Sequence, residues 1–199
     1  VPLAASFTDG LPDNSVTLLD KGFFSASLLM SINAQGHNRH WLLPERSRLS
    51  YKVVESYGEG DRLLEMKVSA QARKTNPELP MYWQARAVTY QIGKQEKTVL
   101  TSLPVDKYSA HQVASLYHQR WEIELGFRDI KSSMQGNAIT LRSKKVELIY
   151  QELWGVLLGY NLIRREASLA AVTHGRSPQE ISFKFAYQFI ATQLISMAG

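Results

Sequence analysis

The rhythm of apolar and polar positions changes along the chain, and each change marks an element. Ser15-Val16-Thr17-Leu18-Leu19-Asp20 is a β-branched and apolar run ending in an acid, which predicts a short strand. Lys21-Gly22 breaks it. Phe23 to Ala34 is apolar-rich and predicts a helix, with Ser25 as a cap and Gln35-Gly36 as its end, so Asp20 falls at the carboxyl end of a strand. Arg39-His40-Trp41-Leu42-Leu43 reads as a second core strand. From Pro44 to Leu103 almost no helical period is sustained. Tyr51 to Tyr57 alternates, Gly58-Glu59-Gly60-Asp61 turns and Arg62 to Val68 returns; after Asn76-Pro77 come Tyr82 to Ile92 and Thr98 to Leu103.

Helical spacing resumes after Pro104. Ser109-Ala-His-Gln112 resembles a capping box and starts a long helix near Ala110, with Leu116, Ile123, Phe127 and Ile130 on one side and Gly136-Asn137 at its end. A link with Arg142, Lys144 and Lys145 leads to a helix from Val146 to about Thr173, whose Arg164-Arg165 pair is a candidate DNA contact. His174-Gly175-Arg176-Ser177-Pro178 breaks it, and Ser177-Pro178-Gln179-Glu180 opens a last helix. The fold class is therefore α/β. Its parts are a strand-helix-strand core over 1–43, a β-rich insertion over 44–104, an acidic helix over 105–136 and a helical region over 137–199.

Composition narrows the chemistry. The 199 residues are 44% hydrophobic and carry a net charge of +5, enough apolar mass for a core and a balance that suits a polyanionic partner. No cysteine is present, which excludes disulfides, thiolate metal sites and catalytic thiols. No apolar run reaches the roughly 18 residues of a membrane span, and the amino terminus lacks a secretory layout, so a cytoplasmic location is expected. A glycine-rich nucleotide loop and internal repeats are also absent from the sequence.

Within the acidic helix, Tyr117, Arg120, Glu124 and Lys131 are separated by three, four and seven residues. At about 100° per residue an unbroken helix would place all four within an arc of about 60°. A carboxylate there can ligate a divalent metal while two cations and a phenol hold phosphate oxygens; the same spacing also occurs on ordinary solvated faces. Asp20, alone, is equally a turn former or N-cap. Arg46 and Arg48 follow a strand expected to end near Asp20 and are phosphate-binding candidates. With Arg73, Lys74, Tyr82, Trp83 and Arg86 they make a basic, aromatic region that can grip a backbone and stack a base, although Trp and Tyr in alternating strands are also core residues. His111 and His118 lack a convincing carboxylate partner for a metal and read as solvated or DNA-facing, while Trp121 reads as core.

Tyr117-x2-Arg120-x3-Glu124-x6-Lys131 resembles the signature of the insertion-sequence-four family of bacterial DDE transposases, and Leu19-Asp20-Lys21-Gly22-Phe23-Phe24-Ser25 resembles that family's second-acid motif. The resemblance implies a ribonuclease-H-like (retroviral-integrase-like) fold, lacking its first strands, with a β insertion before the last acidic helix. It implies Asp20 and Glu124 as catalytic metal ligands for Mg2+ or Mn2+, with Tyr117, Arg120 and Lys131 on phosphates and Lys21 and Ser25 as helpers. The reaction implied is cut-and-paste transposition, in which the partners are transposon-end and target DNA and the complete enzyme is a homodimer. The first acid of the triad belongs on an earlier strand; Asp9 and Asp13 lie in a Gly/Pro/Asn-rich loop and are poor substitutes, so the chain reads as the carboxyl-terminal part of a longer transposase, inactive alone. Relatives carry a base-contacting Trp before Leu-Thr-Ser-x-Pro; here Lys97-Thr98-Val99 precedes Leu100-Thr101-Ser102-Leu103-Pro104, which leaves Trp83 as a stand-in. Two other readings use the same residues: a DNA-binding remnant that holds without cutting, and a metal-dependent nuclease of the same fold.

Overall fold

The computed structural model describes residues 2–134, 136 and 141–198, and the chain divides into two compact units, Val1–Arg120 and Trp121–Gly199. The first unit contains, in order, α1 (Pro2–Ala5), β1 (Ser15–Leu18), α2 (Ala26–Ala34), β2 (Arg39–Pro44), β3 (Lys52–Gly58), β4 (Asp61–Lys67), α3 (Ala70–Thr75), β5 (Tyr82–Ile92), β6 (Gln95–Thr101) and α4 (Ala110–His118). Its strands form one six-stranded sheet in the order β1-β2-β6-β5-β4-β3. β1 and β2 pair in parallel through the α2 crossover, with Leu18 beside Leu42, and the remaining pairs are antiparallel. Leu42, Leu43 and Pro44 pair with Thr101, Leu100 and Val99. The strands between 44 and 104 therefore extend the sheet of β1 and β2.

Period-two alternation divides the core between the two faces of this sheet. Trp41, Leu43, Ala85, Ala87 and Leu100 pack with Leu28, Leu29 and Ile32 of α2, while Leu42, Val88 and Val99 pack with Val113, Leu116 and Tyr117 of α4. Trp83 is only 7% exposed and its ring lies 5.9 Å from those of both Phe24 and Trp41. It belongs to the core. Asp13 accepts hydrogen bonds from the His37 backbone N–H and from Arg39 Nε, at 3.0 and 2.8 Å, which holds its carboxyl below the usual range and fits the expected turn role.

Some local expectations are corrected. Lys21–Phe23 forms a separate 3-10 turn, so α2 begins at Ala26 after Ser25. α3 interrupts the β-rich stretch because the Ser69 hydroxyl accepts from the Ala72 N–H and starts a helical turn there. The capping box at Ser109 and Gln112 is present. The helix that it starts, however, is not continuous: α4 ends at His118, Gln119 and Arg120 form a turn, and winding resumes in the second unit.

The second unit contains α5 (Trp121–Arg128), a π-helical segment (Asp129–Met134), α6 (Val146–Thr173), a 3-10 turn (Pro178–Glu180) and α7 (Phe183–Ala198). The Ser177-Pro178 signal produces that 3-10 turn, and the last helix starts only at Phe183. Trp121 is 55% exposed, which corrects its reading as core, and Ile123 and Phe127 are exposed as well. Of the Gly136-Asn137 pair expected to end the long helix, Asn137 lies outside the described residues. No helix among the described residues is long and apolar enough to cross a membrane.

Candidate active site

β1 delivers Asp20 to its place. Val16 and Leu18 face α4, so the alternation directs Asp20, two residues on, toward the same side as the chain bends into the Lys21–Phe23 turn. β2 runs parallel to β1, and the Leu19 N–H donates to the Leu42 carbonyl at 2.9 Å, which brings the following Pro44-Glu45 to the same edge. Asp20, Lys21, Phe23, Glu45, Glu96, Lys97, Thr98, Tyr117 and Arg120 consequently border one open cleft of about 1020 Å³.

Inside it, Arg120 Nη1 lies 3.3 Å from Asp20 Oδ1, and the guanidinium carbon lies 5.7 Å from the centre of the Tyr117 ring. The Tyr117 hydroxyl donates to the Leu19 carbonyl at 3.5 Å, a long contact. Burial pushes the phenol up to about 12; Asp20 acts in the same direction and the Arg120 guanidinium opposes it. At neutral pH Tyr117 is therefore a hydrogen-bond donor and not a base. Arg120, one-fifth exposed, carries a guanidinium whose planar fork of N–H groups is of the kind that suits a phosphate.

Arg46 and Arg48 follow β2 as expected, and both are exposed; Arg48 holds a positive φ of 62°. Neither borders the cleft. Arg86, grouped with the basic candidates by sequence, is instead 4% exposed and bonded to Asp61 through Nε and Nη2 at 2.8 and 2.6 Å. Its Nη1 donates to the Tyr108 carbonyl at 2.7 Å, just before α4 begins, so its role is internal. Glu45, Glu96 and Lys97 were missed as cleft residues. Their common location depends on the pairing of β2 with β6, which no local sequence signal reports.

In the second unit, Glu124 is partly buried on α5 and Lys131 is exposed within the π segment. Arg164 lies over the rings of Tyr160 and Phe183, 5.8 Å from each, and 3.6 Å from the Glu122 carboxylate. Arg165 pairs with Glu166 at 3.3 Å. Asp129 is buried beside Arg128 and Arg164; desolvation raises its carboxyl above the usual range, against the pull of both cations.

Mg2+ and Mn2+ take hard oxygen ligands, and Asp20 offers a suitable carboxylate. That carboxylate is engaged by Arg120, and among the described residues no group of three His, Cys, Asp or Glu side chains is arranged to hold an ion. The carboxylate chemistry of Asp20 fits a divalent cation.

The profile of the transposase DDE domain matches residues 1–162. Across 199 residues the chain is 39% identical to the transposase InsG for insertion sequence element IS4 of Escherichia coli (strain K12), covering 99% of this chain and 45% of that protein. It is 48% identical over 65 residues to the transposase for insertion sequence element IS421 of Escherichia coli, covering 33% of this chain and 17% of that one. The chain thus spans less than half the length of these relatives. Together these matches bear out the resemblance carried by the motifs around Asp20 and Glu124, and the chain belongs to the transposase DDE domain family.

Proposed function

We propose that this chain carries part of the catalytic region of a cut-and-paste DNA transposase, which cleaves at transposon ends and joins the freed 3′ hydroxyl to target DNA. The observation that carries the reading is the grouping of Asp20, Arg120 and protonated Tyr117 in an open cleft at the carboxyl edge of parallel strands. The β1-α2-β2 crossover with an acid at that edge also supports a ribonuclease-H-like core.

In this reading Asp20 and Glu124 are the carboxylates that would hold Mg2+ or Mn2+, whose bound form supplies Lewis-acid polarisation of the phosphodiester and a more acidic water. Arg120 turns its donors from Asp20 to phosphate oxygens, and Tyr117 adds a neutral hydroxyl donor; both stabilise charge and fix orientation without taking a proton. Lys131, Arg46 and Arg48 hold backbone phosphates farther along the DNA. Asp9 lies in a 3-10 turn and Asp13 is committed to Arg39, so neither is proposed as a ligand. With two carboxylates rather than three, the 199 residues alone bind DNA but cut it poorly. The complete protein acts in the cytoplasm as a homodimer on end and target DNA.

A second reading, DNA holding without cleavage, is favoured by the Asp20–Arg120 pair, which commits the acid to a cation. Both readings are tested by Mg2+- and Mn2+-dependent cleavage and strand transfer on end-bearing DNA, with these residues inside a full-length transposase. The expected result is activity that disappears in Asp20→Ala and Glu124→Ala while DNA binding persists. Undiminished cleavage by both variants overturns the metal-ligand roles; binding without cleavage by the unsubstituted protein supports the second reading.

A further inference from the structure

We infer that Lys97 is a DNA-phosphate contact, forming the wall of the cleft that β6 supplies with Tyr117 of α4 and Arg120 of the turn that follows it. Sheet register is the basis of this assignment. Val99 pairs with Val88 and both pack on the α4 face, and Lys97, two residues earlier on β6, pairs with Tyr90, which packs on the same face. Strand periodicity therefore directs Lys97 toward α4. The Glu45 N–H donates to the Thr98 carbonyl at 2.9 Å, so β6 reaches the edge where β1 and β2 place Asp20, and Lys97 lies one residue beyond that contact. Arg46 lies one residue beyond it on the other side, past the end of β2.

Lys97 is exposed and borders the cleft with Asp20 and Arg120, and its ammonium makes no hydrogen bond or ion pair among the described residues. Two of the other cleft charges are engaged: Arg120 with Asp20, and Glu96 in a long 3.5 Å contact from Gln91 Nε2. An ammonium on a flexible stem at the mouth of a cleft that already presents a guanidinium and a phenol hydroxyl is suited to a backbone phosphate as a point charge. It reads no base sequence.

This inference rests on the DNA reading above, and the test separates the two. Binding of a fluorescent duplex to the 199-residue chain is measured by anisotropy across a salt series for the unsubstituted protein, Lys97→Gln, Lys97→Arg and Lys94→Gln. Lys94 is exposed in the β5–β6 turn and does not border the cleft. One lost phosphate contact lowers the slope of log affinity against log salt by about 0.9 and weakens binding about three- to tenfold near 0.1 M salt. That change is expected for Lys97→Gln, with Lys97→Arg close to the unsubstituted protein and Lys94→Gln unchanged. If the unsubstituted chain binds with a normal salt slope and Lys97→Gln matches it, or if Lys94→Gln shows an equal loss, the Lys97 contact is overturned while the DNA reading stands. If the unsubstituted chain binds no DNA, the DNA reading itself fails, and this inference with it.

Discussion

Arg120 and Asp20 form an ion pair at 3.3 Å that ties the turn after α4 to the end of β1. Asp20 is 62% exposed, so the pair contributes little to stability, about 0 to 1 kcal/mol. Its value lies in placement. Arg120→Gln is expected to melt within a few degrees of the parent, yet to lower single-turnover DNA cleavage by about 10²-fold in a full-length transposase. Differential scanning calorimetry and quenched-flow cleavage separate the two effects; equal cleavage by Arg120→Gln and the parent rejects the role.

Tyr117 makes a pH prediction. Its phenol titrates near 12 in the folded chain against the ordinary 10, so the folded state retains the proton that the unfolded chain releases. Stability from this group is complete below pH 10 and declines as pH rises toward 12. Tyr117→Phe should remove that part of the alkaline decline and delete the highest-pH step from the tyrosinate absorbance titration. An unchanged titration would show that the phenol is not desolvated as described.

Arg86 and Asp61 test the internal role assigned to a residue that sequence placed among DNA contacts. Both are buried, and Arg86 also serves the carbonyl before α4. Removing one partner leaves an uncompensated buried charge, so Arg86→Ala is expected to lose about 3 to 5 kcal/mol in urea unfolding. Paired replacement by Arg86→Met and Asp61→Leu should recover most of that loss.

Trp83 separates core from base platform. Its burial against Phe24 and Trp41 predicts a loss of about 3 to 5 kcal/mol for Trp83→Ala. Trp83→Phe should fold and bind single-stranded DNA as the parent does; a selective loss of binding would restore the stacking role.

What could be read from sequence was local. The β-branched run before Asp20, the strand from Tyr82 to Ile92 and the Ser109 capping box each encode their structure within a few residues, and each formed. The missed features depend on distant or competing interactions. Lys97 reaches the cleft through strand register, and Arg86 finds Asp61 only when β4 pairs with β5. The stripe through Tyr117, Arg120, Glu124 and Lys131 assumed uninterrupted winding, but the turn at Gln119–Arg120 and the π segment from Asp129 break it.

Helix α4 is held at both ends. The capping box and the Arg86 bond to Tyr108 secure its start, while Tyr117 and the Asp20–Arg120 pair secure its exit. Ties at both ends should lower the tendency of this nine-residue helix to fray independently of the sheet. Its amide protons should exchange with solvent in step with those of β5 and β6, making the helix part of the sheet's own cooperative unit. The cleft would then lose its shape through sub-global opening of the sheet, and not through the mobility of a surface helix.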